Sequence, residues 1–310
     1  IDWSQWIWHI GAIVLFFALS NGFYRLFHDG YMLYQPDIVQ YRGMAQESKA
    51  YELLHEESVQ WSNSMFGGMP TYQSGGEGGT FDWSEELRKG YSQLFAGSEI
   101  GILLIAMFSA YLLAIALGAS AWWGLLAGLA FGFSTILVLY LGAGHRSKVW
   151  ALSFMPGVVL GVVWAYRGLI WRGVSLVVLF LSLHLLSNHF QMTYYLILFL
   201  GTFIVSLGIK RWREGRLQGF LRSSVMLLLA AVLSSLPSSL NILNTQSYST
   251  YTTRGKAILD IDEDGLLRGS DGSQLDIKEL AGSQAVANSG DGLGDNYILE
   301  YSMAKMEWLA

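Results

Sequence analysis

Long apolar runs alternate with short polar segments along most of this chain. A helix needs about 20 apolar residues to cross a bilayer, and seven runs approach that length. The predicted spans are residues 5–23, 100–118, 121–142, 149–166, 173–187, 192–209 and 223–243. We end the short fifth span at the polar cluster 187–191 (SNHFQ), because such residues are costly inside hydrocarbon. The pattern therefore predicts an all-α integral membrane protein with about seven transmembrane helices.

Composition supports this class of protein. Of the 310 residues, 52% are hydrophobic and 14% are charged, whereas soluble domains carry about 25% charged residues. Twelve Trp and 16 Tyr suit the two membrane–water interfaces. The absence of cysteine excludes a disulfide framework, a thiol nucleophile and a thiolate metal site. We expect the lipid bilayer as a partner and expect no nucleic acid.

The distribution of basic residues predicts the orientation. Loops 167–172 and 210–222 together carry seven Arg and Lys, which favours the cytoplasmic side for both. Alternating spans then place 24–99, 143–148, 188–191 and the chain after residue 243 on the outer side. We therefore expect a multi-pass protein whose polar elements face the periplasm or the exterior.

The first outer loop, 24–99, has the composition of an ordered segment. It contains a predicted helix at 44–58, a flexible linker at 74–80 and a predicted amphipathic helix at 81–96 on the membrane surface. We assign 1–243 to a transmembrane module that includes this loop. Residues 244–310 are polar and begin an extracytoplasmic segment or domain, and we expect more protein to follow them in the native chain.

The stretch 142–148 (GAGHRSK) combines a tight turn with basic side chains. Its glycines allow the backbone to turn and to approach a ligand closely. His145, Arg146 and Lys148 supply donors suited to phosphate. These basic residues oppose the orientation rule, which hints at a function.

Six motifs occur along the chain in an order that resembles the bacterial YfhO-like membrane proteins, and the resemblance covers most of residues 1–256. They are 37–41 (DIVQY), 61–73 (WSNSMFGGMPTYQ), 131–135 (FGFST), Gly144-His145 with Lys148, 188–195 (NHFQMTYY) and 253–256 (TRGK).

That resemblance implies a GT-C-like architecture, the class of integral membrane glycosyltransferases. Such enzymes typically take a sugar from a polyprenyl-phosphate donor on the outer face of the bacterial cytoplasmic (inner) membrane. Their first outer loop carries an acidic catalytic residue, and Asp37 is the matching position. Family members are longer, so this chain corresponds to their N-terminal portion.

Asp37 is the candidate base that takes the proton of an acceptor hydroxyl, with Asp29 and Glu47 as lesser candidates. A turn residue after Pro36 is the simpler interpretation of the same aspartate. His145 and Lys148 are candidate donor-phosphate ligands, or else contacts to lipid headgroups.

Further candidates come from three other segments. Arg254 and Lys256 are either a second phosphate clamp or basic residues at a helix exit. His189 and Gln191 bind substrate or form a polar cap between two helices, and we interpret His184 as structural. Tyr72 and Gln73 are additional substrate-binding candidates.

Metal binding is the weakest of the predicted properties. A divalent cation could join Asp37 to His145 or His189, since mixed carboxylate and imidazole ligation suits Mn or Zn. No local ligand spacing supports it, so no metal site is assigned. The acidic turn 260–265 (DIDEDG) is interpreted as solvated and not as a calcium loop.

The resulting hypothesis is transfer of a sugar from a lipid-phosphate donor to an envelope glycan or protein acceptor. One sugar ring between base and phosphate predicts that the Asp37 carboxylate lies roughly 6–12 Å from Lys148 or His145. The alternative is a non-catalytic membrane subunit or scaffold of a larger complex. A transporter is disfavoured, because the spans are nearly free of ionisable residues.

Overall fold

The computed structural model describes residues 3–57, 59–64, 68–71, 90 and 98–252, with short strands at 259–261, 267–269 and 274–275. The chain divides into two compact units, Ile1–Asn241 and Ile242–Ala310. The predicted all-α membrane fold is confirmed, because the described part is dominated by helices. In chain order these are α1 (Trp3–Phe23), α2 (Pro36–Met44), α3 (Gln46–His55), α4 (Ser98–Leu117), α5 (Ala121–Gly132), α6 (Thr135–Ala143), α7 (Arg146–Tyr166), α8 (Ile170–Leu186), α9 (Phe190–Arg213), α10 (Leu217–Ser235) and α11 (Ser239–Ser249).

Six helical segments in the described part of the chain are long and apolar enough to cross a membrane. They are Trp6–Phe23, Glu99–Leu117, Ala121–Ala143, Arg146–Tyr166, Phe190–Arg213 and Leu217–Ser235. Helix α8 corresponds to the predicted short span and has only 17 residues. The protein is therefore a multi-pass membrane protein.

Several element boundaries differ from the prediction. The third span is divided into α5 and α6, because the helix ends at Gly132 and restarts at Thr135. The last span ends at Ser235 and not at 243, since Pro237 has no N–H to continue the helix. The predicted helix at 44–58 is observed as α3, preceded by the unpredicted α2. The predicted amphipathic helix at 81–96 lies outside the described residues.

Helix α7 lies at the centre of the first unit. Within its span 72% of the residues are buried, compared with 11% for α9. Small residues let α7 approach α8 closely, because a Cβ on Gly173 would lie 2.4 Å from the carbonyl oxygen of Gly161. Ser109 of α4 donates a 2.7 Å hydrogen bond to the Ser153 carbonyl of α7, which satisfies a buried hydroxyl without a charge.

Contacts between helices define two ends of the bundle. At one end, which we call the Asp37 end, Gln35 donates to the Leu141 carbonyl at 2.6 Å. At the opposite end, Arg167 donates to the Ala116 carbonyl, and the Tyr166 and Ser224 hydroxyls are 2.9 Å apart. The first loop and the turn before α7 therefore share the Asp37 end, as span alternation predicts.

Strands are few and short in the described residues. Strand β1 (Trp61–Ser62) pairs antiparallel with β2 (Met69–Pro70) in the first loop. In the second unit β3 (Leu259–Ile261), β4 (Leu267–Gly269) and β5 (Gln274–Leu275) form an antiparallel sheet. The acidic stretch 260–265 thus begins in strand β3, and its residues 262–265 lie outside the described residues.

Candidate functional site

A left-handed glycine shapes the turn before α7. Gly144 has φ +99°, and the Tyr140 carbonyl accepts hydrogen bonds from its N–H and from that of His145. A Cβ at Gly144 would lie 3.0 Å from Ile38 Cγ1 and 3.3 Å from the Ile38 nitrogen. Both the φ angle and this close approach favour glycine. The start of α2 therefore packs directly against this turn.

Helix α2 carries Asp37 in its first turn, directly after Pro36. Pro36 suits this position, because the first helical residue needs no intrahelical N–H partner. Packing against Gly144 brings the Asp37 carboxylate to 2.8 Å from His145 Nδ1. About half of each side chain is exposed, 49% for Asp37 and 41% for His145, so the pair lies at the surface.

The predicted 6–12 Å separation is wrong for His145. We expected room for one sugar ring between Asp37 and the basic residues. Instead α2 is docked on the turn, and the imidazole contacts the carboxylate directly. His145 is therefore a partner of Asp37 through Nδ1, and a contact to phosphate would have to use its Nε2.

The ring of Tyr140 contacts two basic side chains of this turn. Its ring lies 5.6 Å from the His145 ring in an edge arrangement, and Lys148 Nζ lies 4.3 Å from its centroid. Such a cation–π contact attracts the ammonium without using a hydrogen-bond acceptor. Lys148 also lies in the first turn of α7, where the helix dipole adds positive potential.

His189 lies near these basic residues at the same end. Burial lowers the pKa of His189, and the charges of Lys148 and His145 lower it further. Its buried Nδ1 has no hydrogen-bond partner among the described residues. Asp37, His145, Lys148 and His189 are thus brought together from three distant parts of the sequence.

The other sequence candidates are placed differently. His184 is buried, and its ring nitrogens lie 3.0 Å from the Ala151 carbonyl and 3.0 Å from the Thr193 hydroxyl, as expected for a structural histidine. Gln191 is exposed and donates to the Tyr195 hydroxyl along α9. Asp29 and Glu47 are exposed. The remaining candidates lie outside the described residues: Tyr72, Gln73, Arg254 and Lys256.

A buried polar network beside the Asp37–His145 pair was not predicted. Arg146 donates to Glu99 at 2.5 Å and to Gln35 at 3.2 Å, and Gln35 donates to Glu99 at 3.2 Å. The Glu99 side chain is only 4% exposed. Burial and the Glu99 carboxylate raise the pKa of Tyr24 to about 12. A sequence signal did exist, since Glu99 is an acidic residue directly before an uncharged span.

Within the described residues, no group of three or more His, Asp or Glu side chains is arranged to hold a metal ion. The site therefore consists of a carboxylate–imidazole pair, an ammonium group and a second imidazole, and the buried Glu99–Arg146 ion pair lies beside it. Comparisons with family profiles, with curated proteins and with solved structures find no match to this chain. The interpretation of the site rests on its own geometry.

Proposed function

We propose that this protein is a membrane glycosyltransferase of the GT-C type, as the resemblance to YfhO-like proteins implies. It would move a sugar from a polyprenyl-phosphate donor to an acceptor in the bacterial cell envelope. One observation carries the proposal. A half-exposed carboxylate lies in contact with His145 and on the same surface as Lys148 and His189, at a predicted membrane–water boundary.

The reaction needs one base and one anion-binding group. Asp37 takes the proton from the acceptor hydroxyl as that oxygen forms a bond to the anomeric carbon of the sugar. The bond from this carbon to the phosphate oxygen breaks, and its electron pair leaves with the polyprenyl phosphate. His145 Nδ1 contacts one oxygen of the Asp37 carboxylate, so we assign the proton to the second oxygen.

Lys148 and His189 suit the leaving group in different ways. Lys148 supplies a full positive charge for the phosphate, close to the N-terminus of α7. The lowered pKa of His189 keeps its ring neutral at neutral pH, so it contributes a hydrogen bond and no charge. A neutral imidazole beside an ammonium avoids repulsion before the donor arrives.

Substitution of Asp37 tests the proposal. The full-length protein in lipid nanodiscs is given a panel of polyprenyl-phosphate hexoses and a membrane extract as acceptor, and release of polyprenyl phosphate is measured. Asp37→Asn keeps the shape of the side chain and removes the base, so the rate should fall about 100-fold or more. Lys148→Ala should mainly weaken donor binding, because it removes a charge-assisted contact.

Glu57→Gln is the matched control, since it removes an exposed carboxylate that follows the neighbouring helix α3 and is no candidate for the base. Its rate should equal that of the wild type. If Asp37→Asn also keeps the full rate, Asp37 is not the base and the catalytic proposal fails. A wild-type protein without turnover on any donor in the panel would favour the alternative of a non-catalytic subunit.

A further inference from the structure

A second concave site lies beneath the first loop. It is a cavity of about 420 Å³ between the segment after α1 and helix α2, and Glu99 and Arg146 of the bundle also line it. Its walls are mixed in character. Apolar side chains include Phe27, Met32 and Ile38, whereas the polar groups are those of Gln35, Arg42, Glu99 and Arg146.

Helix α2 is a wall between this cavity and the Asp37 site. Gln35, Ile38, Val39 and Arg42 line the cavity and are spaced as one helical face. Asp37 lies on the opposite face, where it contacts His145. The two sites therefore use different sides of the same helix, and the cavity does not contain the groups assigned to sugar transfer.

The charges of the cavity favour an anion. Two guanidinium groups and one carboxylate leave a single net positive charge. Arg146 directs one nitrogen to Glu99, but its Nε is buried without a partner in the described part of the chain. Arg42 is exposed at the cavity and forms no ion pair with any described residue. A guanidinium group can donate to two oxygens of the same phosphate or carboxylate.

The surroundings of the cavity favour a lipid. The chain segment that forms one wall follows directly after α1, where a span leaves the hydrocarbon. Tyr31, Met32 and Tyr34 are 65%, 77% and 77% exposed, so this segment presents apolar surface next to the cavity. A soluble anion would gain nothing from that surface, whereas the upper part of an acyl chain would cover it.

We propose that this cavity binds the phosphate of a lipid headgroup carrying one net negative charge. Arg42 and Arg146 contact the phosphate oxygens, Glu99 holds the Arg146 side chain in place, and the start of the lipid chain lies along Met32 and Leu33. This inference is independent of the proposed sugar transfer, because it uses none of the residues assigned to that reaction.

Native mass spectrometry of the detergent-purified full-length protein tests the proposal. The probes are dioleoylphosphatidylglycerol, dioleoylphosphatidylcholine and inorganic phosphate, each added separately. We expect the wild type to retain one phosphatidylglycerol in preference to phosphatidylcholine. Arg42→Gln should reduce that retained fraction about tenfold at a lipid concentration below saturation. The lost hydrogen bond to a charged group corresponds to at least about a tenfold change in affinity. Arg42→Lys should lie between the two.

Arg25→Gln is the matched control. Arg25 is an exposed arginine of the neighbouring 3₁₀ helix (Arg25–Asp29), and its side chain does not line the cavity. Equal losses in Arg42→Gln and Arg25→Gln would indicate general surface attraction and overturn the proposal. Equal retention of the two lipids by the wild type would do the same. Thermal unfolding is also measured with each probe. If inorganic phosphate alone raises Tm as much as phosphatidylglycerol does, the lipid assignment is overturned.

Discussion

Gly144 allows the Asp37 carboxylate and the His145 imidazole, which are distant in the sequence, to come into contact. Its side-chain-free backbone lets the start of α2 lie against the turn, and this contact brings Asp37 to His145. The aspartate is not unusual by itself, since aspartate is common in turns. The pair acquires chemical meaning from its contact, because the imidazole fixes one carboxylate oxygen and leaves the other available.

The lowered pKa of His189 makes a prediction about pH. At pH values between the ordinary pKa of 6.5 and the lower pKa in the folded protein, His189 binds a proton in the unfolded chain but not in the folded one. This part of the stability is therefore intact above about pH 6.5 and is lost as the pH falls below it. His189→Gln removes the effect, so the fall in Tm between about pH 7.5 and 5.5 should be smaller than in the wild type.

His184 lies nearby, so the wild type and the variant are compared at every pH. A variant with the same dependence of Tm on pH as the wild type would show that His189 does not carry it. His189→Gln was chosen because glutamine keeps a hydrogen-bonding group of similar reach. The measurement is thermal unfolding in detergent, followed by circular dichroism.

At the scale of elements, the crossing of α7 and α8 depends on having no side chain at its closest point. A Cβ on Gly173 would lie 2.4 Å from the Gly161 carbonyl and 2.5 Å from the Ala165 nitrogen, and both are backbone atoms. Gly173→Ala should therefore force the helices apart and lower stability by about 1–3 kcal/mol. Thermal or denaturant unfolding in detergent measures this loss.

Gly219→Ala provides the comparison for that variant. Gly219 lies in α10, and nothing is within 4 Å of the position of its added Cβ. The exchange should leave stability unchanged or raise it by up to about 1 kcal/mol, since alanine is the better helix former. Equal effects of the two exchanges would mean that the α7–α8 contact does not limit packing.

The apolar runs predicted the spans well, because a stretch of about 20 apolar residues is a local property of the sequence. The break between α5 and α6 was missed, since Phe133 and Ser134 do not interrupt the apolar run in composition. The pairing of Glu99 with Arg146 was missed for a different reason. The two residues are 47 positions apart, and only the packing of α4 against α7 determines their distance.

At the scale of the whole molecule, the orientation in the membrane remains a prediction from basic loops. The chain has no cysteine, so single cysteines can be introduced without background. Glu47→Cys in α3 should react with a membrane-impermeant maleimide in intact cells, and Arg213→Cys at the opposite end should react only after lysis. The reverse pattern would place the Asp37 end in the cytoplasm.

The Glu99–Arg146 pair also sets an order of events during synthesis. At roughly 5–20 residues per second, the separation of 47 positions delays Arg146 by ~2–10 s relative to Glu99. Burying the carboxylate without its partner would cost several kcal/mol. Until α7 arrives, the start of α4 must therefore stay in water or its carboxyl group must hold a proton. The place of one arginine in the chain thus fixes when this end of the bundle can close.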